Sequence, residues 1–430
     1  VTANEAFQAP KGTSDVFPPE SGRWEEIVAC FAGIAGRAGY GLVLNPMFED
    51  VRVFKRGVGE STDIVTKEMY EFEDKGGRKL ALRPEGTAPV IRAFVQHRPT
   101  VPWKVWYVTP AFRQENPQAG RYRQHHQLGV EAVGTDDPDV DVEVIAILAE
   151  LFKQVGLRQF ELRINSMGNS VCMPGYKASL VAYLEEHEAE LCNEHQARWR
   201  LNPLRIFDCK KPECVAVRAG APKIREALCD DCRAHFERVQ EGLTAVGIDY
   251  RTDDYLVRGF DYYTRTTFEF ASLALESAQN AIGGGGRYDG LAELLGGPPT
   301  PGIGFGSGIE RILLACDAEG VFPAPDSRLD AFVVDVTGGA EARDLSHELR
   351  REGLAVDRAF GQRSMKAQMK AANNSGARVA LIIGEDEAAS RAVSLRPLRG
   401  EGPHEQEIVK RSDVARRLRE VLGRASATDD

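Results

Sequence analysis

Three groups of residues in this 430-residue chain are of types and spacings that do chemistry. The first is a polar row leading into His125–Val133. Side chains alternate across a strand, so Arg123, His125, Gln127, Gly129 and Glu131 share one face, and Leu128, Val130 and Ala132 line the other. A face ending in Gln and Glu suits the floor of a small-molecule site; a half-exposed strand with a solvated face is the plain alternative. The second group is arginine. Arg113 follows the apolar run Trp103–Val108, and Arg311 stands in the first turn of a helix entered through Gly302-Ile-Gly-Phe-Gly-Ser-Gly308. Guanidinium groups donate paired hydrogen bonds to phosphate oxygens, and glycines before a helix N-terminus let an anion approach closely. A surface hairpin and a tight strand–helix turn explain the same residues. The third group is cysteine: Cys209-x4-Cys214 and Cys229-x2-Cys232 are two pairs 14 residues apart, close to four-thiolate zinc spacing, with packed thiols as the alternative. Cys30, Cys172, Cys192 and Cys316 read as core residues. There is no Gly-Lys-Ser/Thr, and neither Gly283–Gly286 nor Gly302–Gly308 fits Gly-x-Gly-x-x-Gly, so a nucleotide would have to bind by another route.

Positioning these groups requires elements, and several are readable. Trp24, Ile27, Val28, Phe31 and Ile34 give helical spacing over Glu20–Ala38. Leu42–Pro46, Lys79–Arg83, Val105–Thr109 and His125–Val133 read as strands, Val140–Lys153 as a helix, and Asp254–Phe270 as a hairpin-like pair of strands. Without regular βαβ alternation, this favours an antiparallel α+β core. Residues 172–250 are helical in pattern, hold most of the eight cysteines and read as an insertion. Phe322–Arg328 is a linker by its Pro and polar content. Beyond it strands at 331–337, 354–359 and 378–383 alternate with helices at 340–351 and 364–375, which predicts a separate α/β domain. The expected division is therefore a core over 1–325, with the insertion at 172–250, and a tail over 326–430.

Charged residues at 27% and hydrophobic ones at 43% exclude a disordered, collagen-like or disulfide-scaffold chain. The longest apolar runs, Ile27–Ala32 and Val144–Ala149, are six residues each, against the ~18 that a spanning helix needs. No secretory leader is visible, so a cytoplasmic protein with reduced thiols and no membrane partner is expected. The net charge of −10 argues against a generic nucleic-acid coat. The tail differs: residues 331–430 hold 17 Lys and Arg against 16 Asp and Glu, and Arg343–Arg378 holds eight against four, a local basic surface.

In order along the chain stand Leu82-Arg-Pro-Glu-Gly-Thr87, Phe112-Arg-Gln-Glu115 with Gly120-Arg-Tyr-Arg-Gln124, Leu256-Val-Arg-Gly-Phe-Asp-Tyr-Tyr263, Gly285-Gly-Arg-Tyr-Asp289 and Gly302–Arg311. This set closely resembles the histidyl-tRNA synthetase family of class II aminoacyl-tRNA synthetases. The segments at Leu256–Tyr263 and Gly285–Asp289 are specific to histidyl enzymes, whereas Phe112–Glu115 and Gly302–Arg311 resemble class II motifs 2 and 3 broadly. The resemblance implies a class II antiparallel-sheet catalytic core, the helical insertion and a C-terminal α/β anticodon-binding domain. Leu42–Pro46 and the helix before it resemble the dimer-forming motif. The implied reaction activates L-histidine with ATP and Mg2+ to the adenylate, releasing pyrophosphate, and then charges the 3′ end of tRNA(His).

By the same resemblance Arg113 and Arg258 would hold the α-phosphate, Arg311 the γ-phosphate and Glu115 the adenine amino group, with Arg121 and His125 completing the ATP site. Glu85, Thr87 and Gln127 would hold the α-amino group of histidine, Glu131 and Tyr263 its two imidazole nitrogens, and Tyr288 would line the pocket. His125 departs from the family, which usually places Phe there against adenine. Because histidine protonates near pH ~6.5, weaker ATP binding below that range is the expectation. Two rivals share the core: a histidine-sensing regulatory subunit of ATP phosphoribosyltransferase, and a tRNA-binding pseudo-enzyme. The tail, the Leu256–Tyr263 segment and the intact Arg113, Arg258 and Arg311 argue against both.

Overall fold

The polar and apolar rows of residues 124–133 fall on opposite faces of one strand, and that alternation organises the larger part of the molecule. A computed structural model describes residues 7–59, 62–118, 120–257, 259–275, 280–325, 329–361, 363–399 and 405–424. Arg258 lies outside the described residues. The chain divides into two compact units, Val1–Pro323 and Ala324–Asp430.

In chain order the strands of the first unit are β1 (Gly41–Leu42), β2 (Phe48–Asp50), β3 (Glu71–Glu73), β4 (Lys79–Leu82), β5 (Trp103–Phe112), β6 (Gln124–Val133), β7 (Phe160–Ser166), β8 (Arg251–Thr252), β9 (Thr264–Ser272), β10 (Ala281–Arg287) and β11 (Gly302–Gly308). Strands β2, β4 and β3 form a small antiparallel sheet. The other eight form one sheet in the order β1-β5-β6-β11-β10-β9-β7-β8, parallel only at its two edge pairs. This is the antiparallel α+β core expected from the sequence.

One face of the sheet is apolar. Leu128, Val130, Ile303 and Phe305 point into a core shared with Ile27, Phe31 and Ile34 of the helix Glu20–Arg37 and with Ile145, Leu148 and Phe152 of the helix Pro138–Gln154. Each such side chain contributes ~1.5–3 kcal/mol by leaving water. The second helix starts where Asp137 accepts from the Asp139 N–H at 3.0 Å with Pro138 in the first turn, an ordinary N-terminal cap. The insertion carries the helices Met173–Glu186, Asn193–Arg198, Pro212–Ala219 and Asp230–Ala245. Most of them surround a second core of Tyr176, Leu180, Leu184, Trp199 and Phe207.

The expected hairpin over Asp254–Phe270 is not formed. Only Thr264–Ser272 is a strand; the described residues of 253–263 run as turns and loop. Asp253 accepts from the Tyr255 N–H at 3.1 Å, and the segment buries Leu256 and Tyr262 instead of pairing its backbone. Alternating residue types at 254–263 thus record contacts of a buried loop rather than of a strand.

The second unit holds β12 (Ala331–Asp335), β13 (Val356–Arg358), β14 (Val379–Ile383), β15 (Ala392–Pro397) and β16 (Glu407–Lys410), in the order β13-β12-β14-β15-β16. Every residue of β12 and β14 is buried, as in a central sheet covered on both faces. Antiparallel β15 and β16 and the helix Val414–Leu422 extend beyond the alternation read from sequence. Among the described residues no helix is long and apolar enough to cross a membrane.

A buried ion pair locks the first unit. Arg287 and Asp141 are both fully buried and lie 2.6 Å apart, and the guanidinium also donates to the carbonyls of Thr135 at 3.1 Å and Asp137 at 2.9 Å. The end of β10 is thereby tied to the start of the helix Pro138–Gln154. Desolvation pushes the Asp141 carboxyl up to about 6 even though Arg287 opposes that shift. Arg287→Leu strands this carboxylate without its counter-charge, at an expected cost of about 3–5 kcal/mol. Urea denaturation measures it, and the double variant Arg287→Leu/Asp141→Leu should regain much of the loss.

Candidate active site

The polar face of the sheet converges on one carboxylate. Glu131, in the middle of the sheet on β6, is fully buried. Its Oε1 accepts from the Thr87 hydroxyl at 2.7 Å and the Tyr107 hydroxyl at 3.2 Å, and its Oε2 from the Tyr288 hydroxyl at 2.5 Å. Burial pushes its pKa up to about 8, partly opposed by these hydroxyl donors, while nearby Glu85 raises it further. A second carboxylate, Glu85, accepts from the backbone N–H groups of Thr87 at 2.6 Å and Ala88 at 2.8 Å. It thereby satisfies donors in the first turn of the helix Thr87–His97, and burial raises its pKa as well. Gln127, one strand pair further along β6, accepts from the Gly86 N–H at 3.0 Å.

Glycines make room for this row. A Cβ on Gly304 would stand 1.7 Å from the Glu131 carboxylate, and one on Gly306 would stand 1.9 Å from the Gln127 amide. Cβ atoms on Gly86 and Gly129 would run into the Tyr107 ring at 2.3 and 2.6 Å respectively, and one on Gly302 would meet the Tyr288 ring at 2.3 Å. The run Gly302–Gly308, read from sequence as a phosphate-approach loop or a tight turn, is a central strand whose missing side chains accommodate the polar groups of its neighbour.

Tyr263 sits half-buried after the loop, with its ring against Gly286 and 4.7 Å from the ring of Tyr262. Tyr262 is the deeper of the two; its hydroxyl is raised well above the usual range by burial, then by Tyr263, Glu85 and Glu131. Tyr107 and Tyr262 were not singled out from sequence. For Tyr107 the signal was available: it alternates in phase with Thr109 and Ala111 on the strand that pairs with β6, and it stands opposite Gly129.

The arginines gather at the other end of the same face. Arg113 donates from Nε to the Pro84 carbonyl at 3.0 Å and lies in the field of Glu68, Glu115 and Glu85. Its backbone N–H bonds Arg123 O at 2.9 Å, closing the loop that carries Arg121. Arg121 pairs with Glu115 at 3.0 Å. Arg311 donates to the carbonyls of Ala281 at 2.5 Å and Gly120 at 3.4 Å, and feels the charges of Arg121, Glu269 and Glu115. Arg113 and Arg311 are thus held by backbone carbonyls and Arg121 by the Glu115 carboxylate, and a grouping of guanidinium groups of this kind suits a polyanion.

His125 belongs to this pocket, and its neighbour does not. His126 turns to the opposite face, where Glu310 accepts from its N–H at 2.9 Å and Trp24 meets it edge-on at 4.8 Å. Desolvation, then Arg113 and His126, push His125 down to about 3. The ring is therefore neutral throughout the physiological range, which overturns the expected loss of ATP binding below pH ~6.5.

The four cysteines singled out by spacing do not meet. Cys209 and Cys214 cluster with Cys192 and His195, whereas Cys229 and Cys232 cluster with Cys172. The spacing rule pairs cysteines along the chain, but the fold of the insertion separates the two pairs and recruits Cys172 and Cys192, which read as core residues.

Comparison with known proteins places these features in a family. Residues 12–312 match the family model "Histidyl-tRNA synthetase", and residues 330–421 match "Anticodon binding domain". The histidine–tRNA ligase of Moorella thermoacetica is 46% identical over 416 residues, covering 96% of this chain and 98% of that protein. That of Halothermothrix orenii is 48% identical, covering 91% and 94%. The crystal structure of apo S. aureus histidyl-tRNA synthetase superposes with a TM-score of 0.81 at 34% identity, covering 96% of this chain and all of that one.

Two expectations follow from the geometry. An NMR titration of the His125 ring between pH 5.5 and 8 should show no midpoint, because its pKa lies far below that window. Gly304→Ala should disturb the Glu131 carboxylate directly, since Val130 O also lies 2.4 Å from the added Cβ. Overpacking of this kind costs about 1–3 kcal/mol, to be read as a lowered thermal midpoint.

Proposed function

The chain belongs to the histidyl-tRNA synthetase family, and from that premise we propose that it is a histidine–tRNA ligase whose amino-acid pocket is built on Glu131 and whose nucleotide pocket is built on Arg113, Arg121 and Arg311. The observation that carries this reading is the buried Glu131 with its three hydroxyl donors, a few residues along one strand from His125 and the arginines. Imidazole carries polar atoms on both sides of its ring. A pocket that offers Glu131 on one side and a tyrosine such as Tyr263 on the other satisfies both, and leaves its own groups unpaired with an apolar competitor. Thr87, Gln127 and Glu85 surround the position for the α-amino group.

In the first step the histidine carboxylate attacks the α-phosphate of ATP and pyrophosphate leaves. No protein nucleophile is needed; the barrier is lowered by in-line positioning and by neutralising the phosphate charge. Arg113 takes the α-phosphate, with Arg258 assigned to it as well by family resemblance. Arg311 takes the γ-phosphate, Glu115 with Arg121 frames the adenine edge, and neutral His125 stacks on the base. Mg2+ suits this end of the site, since Glu269 supplies a hard oxygen donor in the field of Arg311 and Lys210; when bound it shields the triphosphate. In the second step a 3′-terminal hydroxyl of tRNA(His) attacks the carbonyl of the adenylate, the ester forms and AMP leaves.

The tail supports a tRNA partner. Lys366 and Lys370 lie one turn apart on the helix Met365–Asn374, and Phe360, 60% exposed, carries the Arg358 guanidinium 4.3 Å over its ring. Basic side chains beside an open aromatic ring suit unpaired bases and phosphates. The reading also makes the protein a cytoplasmic homodimer; exposed Leu42, Leu44 and Phe48 beside the first helix support a covered surface there.

Three outcomes test the proposal. Glu131→Gln should lower kcat/KM for histidine in ATP–pyrophosphate exchange by about 100-fold or more, the scale of an unmet buried polar contact. Burial raises the Glu131 pKa to about 8 against the pull of its hydroxyl donors, so the ionised acceptor accumulates as pH rises toward that value. Histidine affinity should therefore rise with pH toward that value, and the Glu131→Gln variant should lose that part of the slope. Finally, Lys366→Glu/Lys370→Glu should weaken aminoacylation and its salt dependence while leaving pyrophosphate exchange unchanged.

A further inference from the structure

We propose that Cys192, His195, Cys209 and Cys214 bind one structural zinc ion, which pins the part of the insertion that reaches the catalytic face. The four ligand atoms all lie within 4.8 Å of one another. Cys192 Sγ stands 3.3 Å from His195 Nδ1 and 4.0 Å from Cys209 Sγ. A tetrahedral zinc with Zn–S bonds of about 2.3 Å sets its sulfurs about 3.8 Å apart, so the donors stand at near-ligating separations. The Cys192 N–H donates to Cys214 Sγ at 3.4 Å, a backbone bond of the kind that orients a metal-bound thiolate.

Local structure explains the convergence. Cys192 caps the helix Asn193–Arg198 and His195 lies one turn in, so both face the same way. Cys209 ends the turn Pro203–Asp208, and Cys214 opens the helix Pro212–Ala219. The cysteines are buried among apolar side chains. On binding, three thiols release their protons and the site carries a net charge of −1. Arg218 donates to the Cys209 carbonyl at 3.4 Å, which sets a cation beside that charge. The cluster of Cys172, Cys229 and Cys232 differs. It offers three thiols, and two of them face the Asn169 side-chain oxygen at 3.4 and 3.8 Å as ordinary donors.

The pinned segment touches the site at two places. Asn202 donates to Asp261 at 2.9 Å and Arg205 to the Gly259 carbonyl at 2.9 Å, bracing the loop that leads to Tyr263. The metal assignment stands on the ligand geometry alone.

Metal analysis of the full-length protein, with zinc released by a mercurial and read with a chromogenic chelator, tests the site. The expected result is one equivalent of zinc per chain, lost in Cys209→Ser/Cys214→Ser and kept in Cys172→Ser/Cys232→Ser. Because the first variant can fail to fold, cobalt exchange into the wild type gives a second reading: intense visible bands of a tetrahedral thiolate-rich site are expected. Zinc below half an equivalent with no such bands, or zinc retained by Cys209→Ser/Cys214→Ser, overturns the site.

Discussion

A carboxylate enclosed in the middle of an antiparallel sheet is the constraint on which the rest of the site depends. Glu131 can be buried only because three hydroxyls from three different segments point at it. Each donor fixes a part of the fold. Thr87 sets the start of the helix Thr87–His97, Tyr107 the pairing of β5 with β6, and Tyr288 the exit of β10. Removing side-chain volume at Gly304 is the matching requirement on the neighbouring strand. The polar pocket and the glycine-rich strand are therefore one feature, in which each glycine stands where a neighbouring polar or aromatic side chain crosses.

Outside the pocket this arrangement is held by groups that never face it. Arg287 is bound to Asp141 and to two carbonyls of the turn before the helix Pro138–Gln154, so that the next residue, Tyr288, emerges under Glu131. Arg83 plays a similar part for Glu85: it is buried and donates to the carbonyls of Pro110, Asn45 and Pro46, anchoring the turn in which Glu85 caps its helix. Two arginines inside recognisable motifs thus act as braces, while Arg113 and Arg311 bond carbonyls of Pro84, Ala281 and Gly120 and Arg121 pairs with Glu115.

What could be read from the residues was whatever repeats within one element. Alternation separated His125, Gln127 and Glu131 from Leu128 and Val130, and the sheet keeps that separation. Contacts between distant segments were not legible. Tyr107 reaches Glu131 from 24 residues away and Tyr288 from 157, with no periodicity to link them. The same limit misassigned the thiols. Pairing by spacing joined Cys209 and Cys214 to Cys229 and Cys232, yet a turn of helix brings His195 beside Cys192, and chain reversal carries Cys172 to Cys232 across 60 residues. His125 shows a different limit. Its residue type implies titration near neutrality, but Arg113 and burial decide its charge, and both are properties of the folded pocket.

The charge count carries a related lesson for the tail. The surplus of basic residues over 343–378 is a statement about sequence, and the fold divides it into two populations. Arg343 pairs with Asp344 and Arg350 with Asp357, while further along Arg411 joins Glu341 and Glu348 and Arg417 joins Glu407 and Glu420. These exposed pairs are worth little to stability, but they neutralise charge that a phosphate would otherwise meet. Among the described residues no ion pair engages Arg363, Lys366 or Lys370, and the open Phe360 ring precedes them in the chain. A net count of +4 spread over 36 residues thus includes a short stretch of cations outside any ion pair among the described residues, preceded by an exposed aromatic ring, and this placement rather than the arithmetic of the whole tail is what supports the proposed partner.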